Sequence, residues 1–212
     1  MPTLYNLIQG RNLERLAALS DGIFAVAMTL LVLDLHIPSA AQVHSERALF
    51  LALAALGPQW IAYGMSFLTL GIFWAGQQTQ LNHFAEGTRD LSWIHLGFLF
   101  TITVLPLSTR LLAEFITFRG ALGIYWLNIL LPGAMLYWSW AYATHADLIK
   151  PDTPDEIRMS ICRRIVIAQS LYAAGAALCF IHTYLSIAAI VLVQLNYAIA
   201  PRVWWRRQTK LS

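Results

Sequence analysis

Few residues in this chain can do chemistry, and four of them flank one apolar run. In residues 14–38, ERLAALSDGIFAVAMTLLVLDLHIP, Ser20 and Asp21 stand at the entrance, with Asp34 and His36 at the exit. An ionised carboxylate facing lipid costs at least ~2.5 kcal/mol on the most lenient scale. Asp21 therefore faces protein or water, and three roles are open to it: cation coordination, proton relay, or a structural clasp between helices. Gln77, Gln78, Trp93 and His95 lie at a similar depth if the chain crosses and recrosses a membrane, and a buried carboxylate needs such partners. Asp34 and His36 read as a solvated pair at the opposite surface, where Asp34 raises the local cation concentration. His95 and His182 stand singly, without metal-ligand spacing. The sequence holds no nucleophile elbow, His-Glu-x-x-His pair or phosphate loop, so no catalytic residue, metal site or enzyme activity is expected. It also lacks a Thr-Val-Gly-Tyr-Gly potassium filter.

The elements that position these groups follow from composition. Of the 212 residues, 58% are hydrophobic and 12% charged, and the mean hydropathy is +0.58. Soluble domains carry about 25% charged residues, so the chain is an integral membrane protein. A net charge of +3 does not point to nucleic acid, because Lys and Arg sit in short loops and tails. Cys162 and Cys179 share one helix, 17 residues apart. At 1.5 Å per residue that is ~25 Å, too far for a disulfide. Ser39-Ala40-Ala41 resembles a signal-peptide cleavage site. The apolar run before it exceeds the ~7–15 residues of a signal core, however, and further spans follow.

Six spans are expected, at about 19–37, 58–80, 90–113, 121–144, 161–182 and 184–201, in an all-α polytopic subunit with no second domain. Residues 1–13 read as a short polar lead-in. Residues 45–56 are apolar but too short to cross, and read as a surface helix begun by Ser45 and interrupted by Gly57-Pro58. Residues 146–157 form the clear polar linker, and the last two spans make an antiparallel hairpin. Trp204-Trp205-Arg206-Arg207 reads as an interfacial anchor. Of the 14 Lys and Arg residues, only Arg47, Arg110 and Arg119 fall on the side opposite the termini. The positive-inside rule thus puts both termini in the cytoplasm.

On a 100° wheel, Val26, Leu30 and Leu33 form one stripe of the first span, with Thr29 on its flank and Gly22 below. Ser20 and Asp21 lie behind it. The stripe suits lipid contact or helix packing as well as a pore lining, and the polar pair suits a clasp as well as an ion site. Arg15, six residues from Asp21, is not on the same helix face. Gly57, Gly64 and Gly71 permit close helix approach without proving assembly.

Arg15 followed by Leu19-Ser20-Asp21 resembles the Arg-x-x-x-Phe-Ser-Asp signature of the bacterial branch of the transmembrane-protein-one-seventy-five potassium channels. The likeness continues through Gly22, Phe24, Ala25, Ala27, Thr29 to Leu33, and Asp34. Tyr63, Ser66-Phe67, Trp74 and Leu105-Pro106 resemble the family's second and third spans. Leu19 replaces the usual Phe, and Gln77-Gln78 stand where a His pair is frequent.

The resemblance implies a homotetramer of six-helix subunits in a bacterial inner membrane, with a pore lined by the first helix. Val26, Leu30 and Leu33 would form its hydrophobic constriction, with Thr29 as the selectivity hydroxyl. Arg15, Ser20, Asp21, Trp74, Gln77 and His95 would form a structural polar network. Potassium is then the permeant ion, and no cofactor is expected. The rival function is a secondary transporter or proton pathway using Asp21 and His95, although no internal repeat is visible. A membrane-embedded enzyme would need a cluster of catalytic groups.

Overall fold

A computed structural model describes residues 12–36, 38–39 and 43–199. Eight α-helices are present among them: α1 Leu13–Leu33, α2 Glu46–Ala55, α3 Gly57–His83, α4 Arg89–Thr103, α5 Leu105–Glu114, α6 Arg119–His145, α7 Asp155–Ala177 and α8 Thr183–Ile199. A 3₁₀ turn, Leu178–Phe180, follows α7. The lead-in over residues 1–11, the Ala40-Ala41 pair, residues 200 and 201 of the sixth span, and the Trp204–Arg207 anchor lie outside the described residues.

Local chemistry sets the helix ends. Asn12 accepts the Arg15 N–H at 2.9 Å, so α1 starts six residues before the expected 19, and it stops at Leu33 with Asp34 as cap. Ser45 caps α2 through the Ala48 N–H, and Thr88 caps α4 through the Leu91 N–H. α2 and α3 join at Leu56-Gly57-Pro58 with a bend of 47°. The third expected span is two helices, α4 and α5, divided at Val104, because Pro106 supplies no backbone N–H. α7 begins at Asp155, ahead of the expected 161; Asp155 and Glu156 in its first turn suit the helix dipole.

Four helical stretches are long and apolar enough to cross a membrane: Leu13–Leu33, Arg89–Glu114, Arg119–His145 and Asp155–Phe180. Glu46–His83 makes a fifth if its bent pair is one span, and α8 is apolar but shorter, with 17 described residues. α3 packs against α1, α5, α6 and α8, and the core between them holds Phe24, Phe73, Phe98 and Tyr125. Through the middle of this core runs a polar chain. Ser66 Oγ lies 2.6 Å from Thr109 Oγ1 and 3.2 Å from the Tyr125 hydroxyl, and Gln194 Nε2 donates to Thr69 Oγ1 at 2.8 Å. The hydroxyls of this chain are paired with one another, while Gln194 Oε1 has no partner among the described residues.

α7 and α8 form the expected hairpin, closed by Ser186 Oγ donating to the Gly175 carbonyl at 2.7 Å. Gly175 lets the two helices approach closely: a Cβ at this position would stand 3.3 Å from Ile190 Cγ1, a tight contact. The linker after α6 is less solvated than its sequence suggests. Leu148 and Ile149 are buried, Ala85 N–H donates to Leu148 O at 2.8 Å, and Lys150 Nζ donates to Asn82 O at 2.8 Å.

Candidate functional site: the two faces of the first helix

One face of α1 turns inward. Leu16, Ser20, Phe24, Ala27 and Leu31 recur every three or four residues, and all are buried. Ser20 begins a hydrogen-bonded chain across four helices. Its hydroxyl donates to Leu16 O at 2.8 Å and accepts from Gln77 Nε2 of α3 at 2.9 Å. The same amide nitrogen lies 3.2 Å from His95 Nδ1 of α4, and His95 Nε2 lies 3.0 Å from Ser139 Oγ of α6. An amide nitrogen only donates, so Nδ1 accepts, and the neutral imidazole carries its proton on Nε2. Ser20, Gln77, His95 and Ser139 are all at most 1% exposed, so this is an internal lock holding α1, α3, α4 and α6 in register.

Asp21 lies one residue along and faces outward. Its Oδ1 accepts from Trp74 Nε1 at 2.7 Å and from Gln78 Nε2 at 2.8 Å. Trp74 and Gln78 are one helical turn apart on α3, so they reach the same oxygen. Both Asp21 and Trp74 remain exposed on the surface of the subunit. The expected network thus divides in two, a buried half at Ser20 and a surface half at Asp21. Arg15 joins neither: it is exposed, and no ion pair links it to Asp21 among the described residues. Trp93 is exposed too and stands apart.

Sequence reading missed Ser139, whereas Gln78 was named among the groups at the depth of Asp21 and is bonded to it. Ser139 is a hydroxyl within the apolar α6, flanked by Trp138 and Trp140, and nothing in that pattern marks it. Gln78 was visible as one of the two departures from the usual His pair.

The opposite face of α1 stays open among the described residues. Val26 is 57% exposed, Leu30 43% and Leu33 74%, although all three are apolar. Thr29 is exposed beside them, and its hydroxyl donates to Val26 O at 2.8 Å. With its proton so engaged, the oxygen presents lone pairs outward. An open groove of about 410 Å³ runs along this face, lined by Leu19, Gly22, Val26, Leu30 and Thr103. At the helix end, His36 N–H donates to Gln59 Oε1 at 3.1 Å, tying the segment after α1 to α3.

Residues 15–106 match the family described as the endosomal/lysosomal potassium channel TMEM175. A potassium channel of Streptomyces collinus is 30% identical over 190 residues, which cover 86% of this chain and 90% of that protein. The crystal structure of a lysosomal potassium-selective channel TMEM175 homologue from Chamaesiphon minutus superposes with a TM-score of 0.79 at 25% identity, covering 90% of this chain and 98% of that one. The human endosomal/lysosomal proton channel TMEM175 is 32% identical over 117 residues, 52% of this chain and 23% of that protein.

Proposed function

This chain belongs to the TMEM175 potassium channel family, and on that premise we propose that it is a potassium-preferring cation channel: a single-domain subunit of six spans, with α2–α3 and α8 completing the set. Four copies surround one axis, with α1 innermost. The observation that carries this reading is the apolar face of α1, open along Val26, Leu30 and Leu33 while the opposite face is locked. Around a four-fold axis each of these residues becomes a ring of apolar side chains. Such a ring limits conduction by how readily it wets, so its radius and polarity set the flux. Val26 is the shortest of the three, which leaves Leu30 as the main barrier. Thr29 supplies hydroxyl lone pairs beside the rings, able to replace part of a cation's hydration shell. Potassium is the permeant ion, and no cofactor takes part. The protein works in a bacterial inner membrane with both termini in the cytoplasm, as the distribution of Lys and Arg supports.

Proton conduction is the second reading, favoured by the vertebrate relatives named as proton channels and by the Gln77–His95–Ser139 chain. An amide at Gln77 interrupts that chain, because it carries no readily titrated proton. Potassium flux from liposomes holding the purified protein, with and without a proton ionophore to relieve charge, tests both readings. Flux that the ionophore accelerates supports passive, electrogenic potassium conduction. Proton current under a pH gradient without potassium flux supports the second reading, and electroneutral or gradient-driven exchange moves the protein to the transporters.

A further inference from the structure

At the end of the bundle away from Asp21, the turn between α5 and α6 meets the turn between α7 and α8. Thr183 Oγ1 donates to Thr117 O at 3.2 Å and fixes one turn against the other. Between them lies a pocket of about 210 Å³, lined by Thr117, Arg119, His182, Thr183 and Tyr184. We infer that this pocket binds the phosphate of an anionic phospholipid.

Three features of the pocket carry the inference. The first is uncompensated positive charge. Arg119 pairs with no carboxylate among the described residues, and Glu114, the acid that precedes it along the turn, is taken by Arg110 at 3.2 Å. A guanidinium is the side chain best matched to the oxygens of a phosphate. The second is a fixed donor. Tyr184 N–H donates to His182 Nδ1 at 3.2 Å, so the neutral His182 ring carries its proton on Nε2, free to be given to an anion. The third is the surrounding surface. Phe118 is 63% exposed, Phe180 74% and Ile181 73%, and they flank Arg119 and His182 in sequence. A free phosphate gains nothing from these side chains, whereas the acyl chains of a lipid cover them. Arg110 and Glu114 neutralise each other at this same end of the bundle, so the charge is confined to the pocket rather than spread over the face.

Thermal unfolding of the purified protein in detergent, with added phosphatidylglycerol, phosphatidylcholine or inorganic phosphate, tests the site. Phosphatidylglycerol is expected to raise the midpoint by about 5 °C at saturation, and phosphatidylcholine by far less. Arg119→Ala weakens phosphatidylglycerol binding by about ten- to a hundredfold, His182→Ala by less, and Arg119→Lys restores part. Arg110→Ala combined with Glu114→Ala, a control at the same end that frees no carboxylate, leaves binding intact. Equal stabilisation of wild type and Arg119→Ala overturns the inference, as does equal loss in the Arg110→Ala, Glu114→Ala double variant. Stabilisation by inorganic phosphate as strong as by the lipid overturns the lipid assignment. An Arg119→Ala protein that fails to fold shifts the test to native mass spectrometry of wild type and Arg119→Lys. There, a lower occupancy of phosphatidylglycerol on the lysine variant is expected, and equal occupancy refutes the site.

Discussion

The two faces of α1 are made from the same materials and meet opposite fates. Leu31 and Leu33 are both leucines two residues apart, yet Leu31 is 1% exposed and Leu33 74%. Ser20 and Asp21 are adjacent polar residues, yet one is sealed within four helices and the other lies on the surface with two donors from α3. Hydrophobicity does not separate them, since lipid tails are as apolar as a protein core. What separates the faces is whether this chain itself supplies the partner. The inward face is closed by α3, α4 and α5, whereas Val26, Leu30 and Leu33 on the outward face stay exposed among the described residues.

The sharpest way to break that contrast is to empty the locked face. His95→Ala removes a buried ring, leaves Gln77 Nε2 with Ser20 alone and takes the imidazole from Ser139 Oγ, at a cost of about 3–5 kcal/mol. The expected result is a large fall in folded yield and melting temperature, with unchanged ion selectivity in whatever assembles. Unaltered stability would mean that the lock is ornamental. On the open face, Leu30→Asn makes the proposed Leu30 ring polar and is expected to raise conductance about tenfold, equivalent to ~1.4 kcal/mol off the barrier. Unchanged single-channel conductance in a folded assembly would make the stripe a packing surface.

Asp21 stands between the two faces and yields a smaller effect. Asp21→Ala leaves Trp74 Nε1 and Gln78 Nε2 without their acceptor, which costs about 1–3 kcal/mol if a neighbouring subunit covers the site. Less tetramer on size exclusion is expected, with partial recovery in Asp21→Asn, which keeps a carbonyl oxygen. A fully stable Asp21→Ala tetramer with altered reversal potentials would recast Asp21 as an ion ligand. The smallest effect belongs to Thr29→Val, which is close to isosteric. It should lower the preference for potassium over sodium a few-fold, ~1 kcal/mol, while total flux stays nearly constant.

How far these features could be read in advance depended on the reach of the physics behind each one. Spans were legible because a membrane demands long apolar runs, and the hairpin of α7 and α8 because too few residues separate them to do otherwise. The nearness of Gln77 and Gln78 to the Ser20-Asp21 pair was legible from shared depth, though not which amide takes which acceptor. The start of α1 was not, since Glu14 and Arg15 look like a membrane boundary and the helix continues through them from the Asn12 cap. The division at Val104 escaped notice because a proline inside an apolar run is compatible with a kinked helix as well as a broken one. Asp21 was expected to face protein or water on the ground that charge shuns lipid, and it lies on the surface of the subunit. That argument demands partners for a carboxylate but does not say that they must enclose it. Arg15 was placed in the network by likeness alone, and it makes no bond there.

The segment after α6 has a consequence for motion. Its Leu148 carbonyl holds the Ala85 amide, and the Lys150 backbone and ammonium bind the last carbonyls of α3 at His83 and Asn82. Amide protons at the end of α3 and in this segment should therefore exchange with solvent together, as one cooperative unit whose opening breaks both. Because Trp74, Gln77 and Gln78 lie a few turns upstream on that same α3, a pull on the start of α7 would be transmitted along α3 to the residues that grip α1.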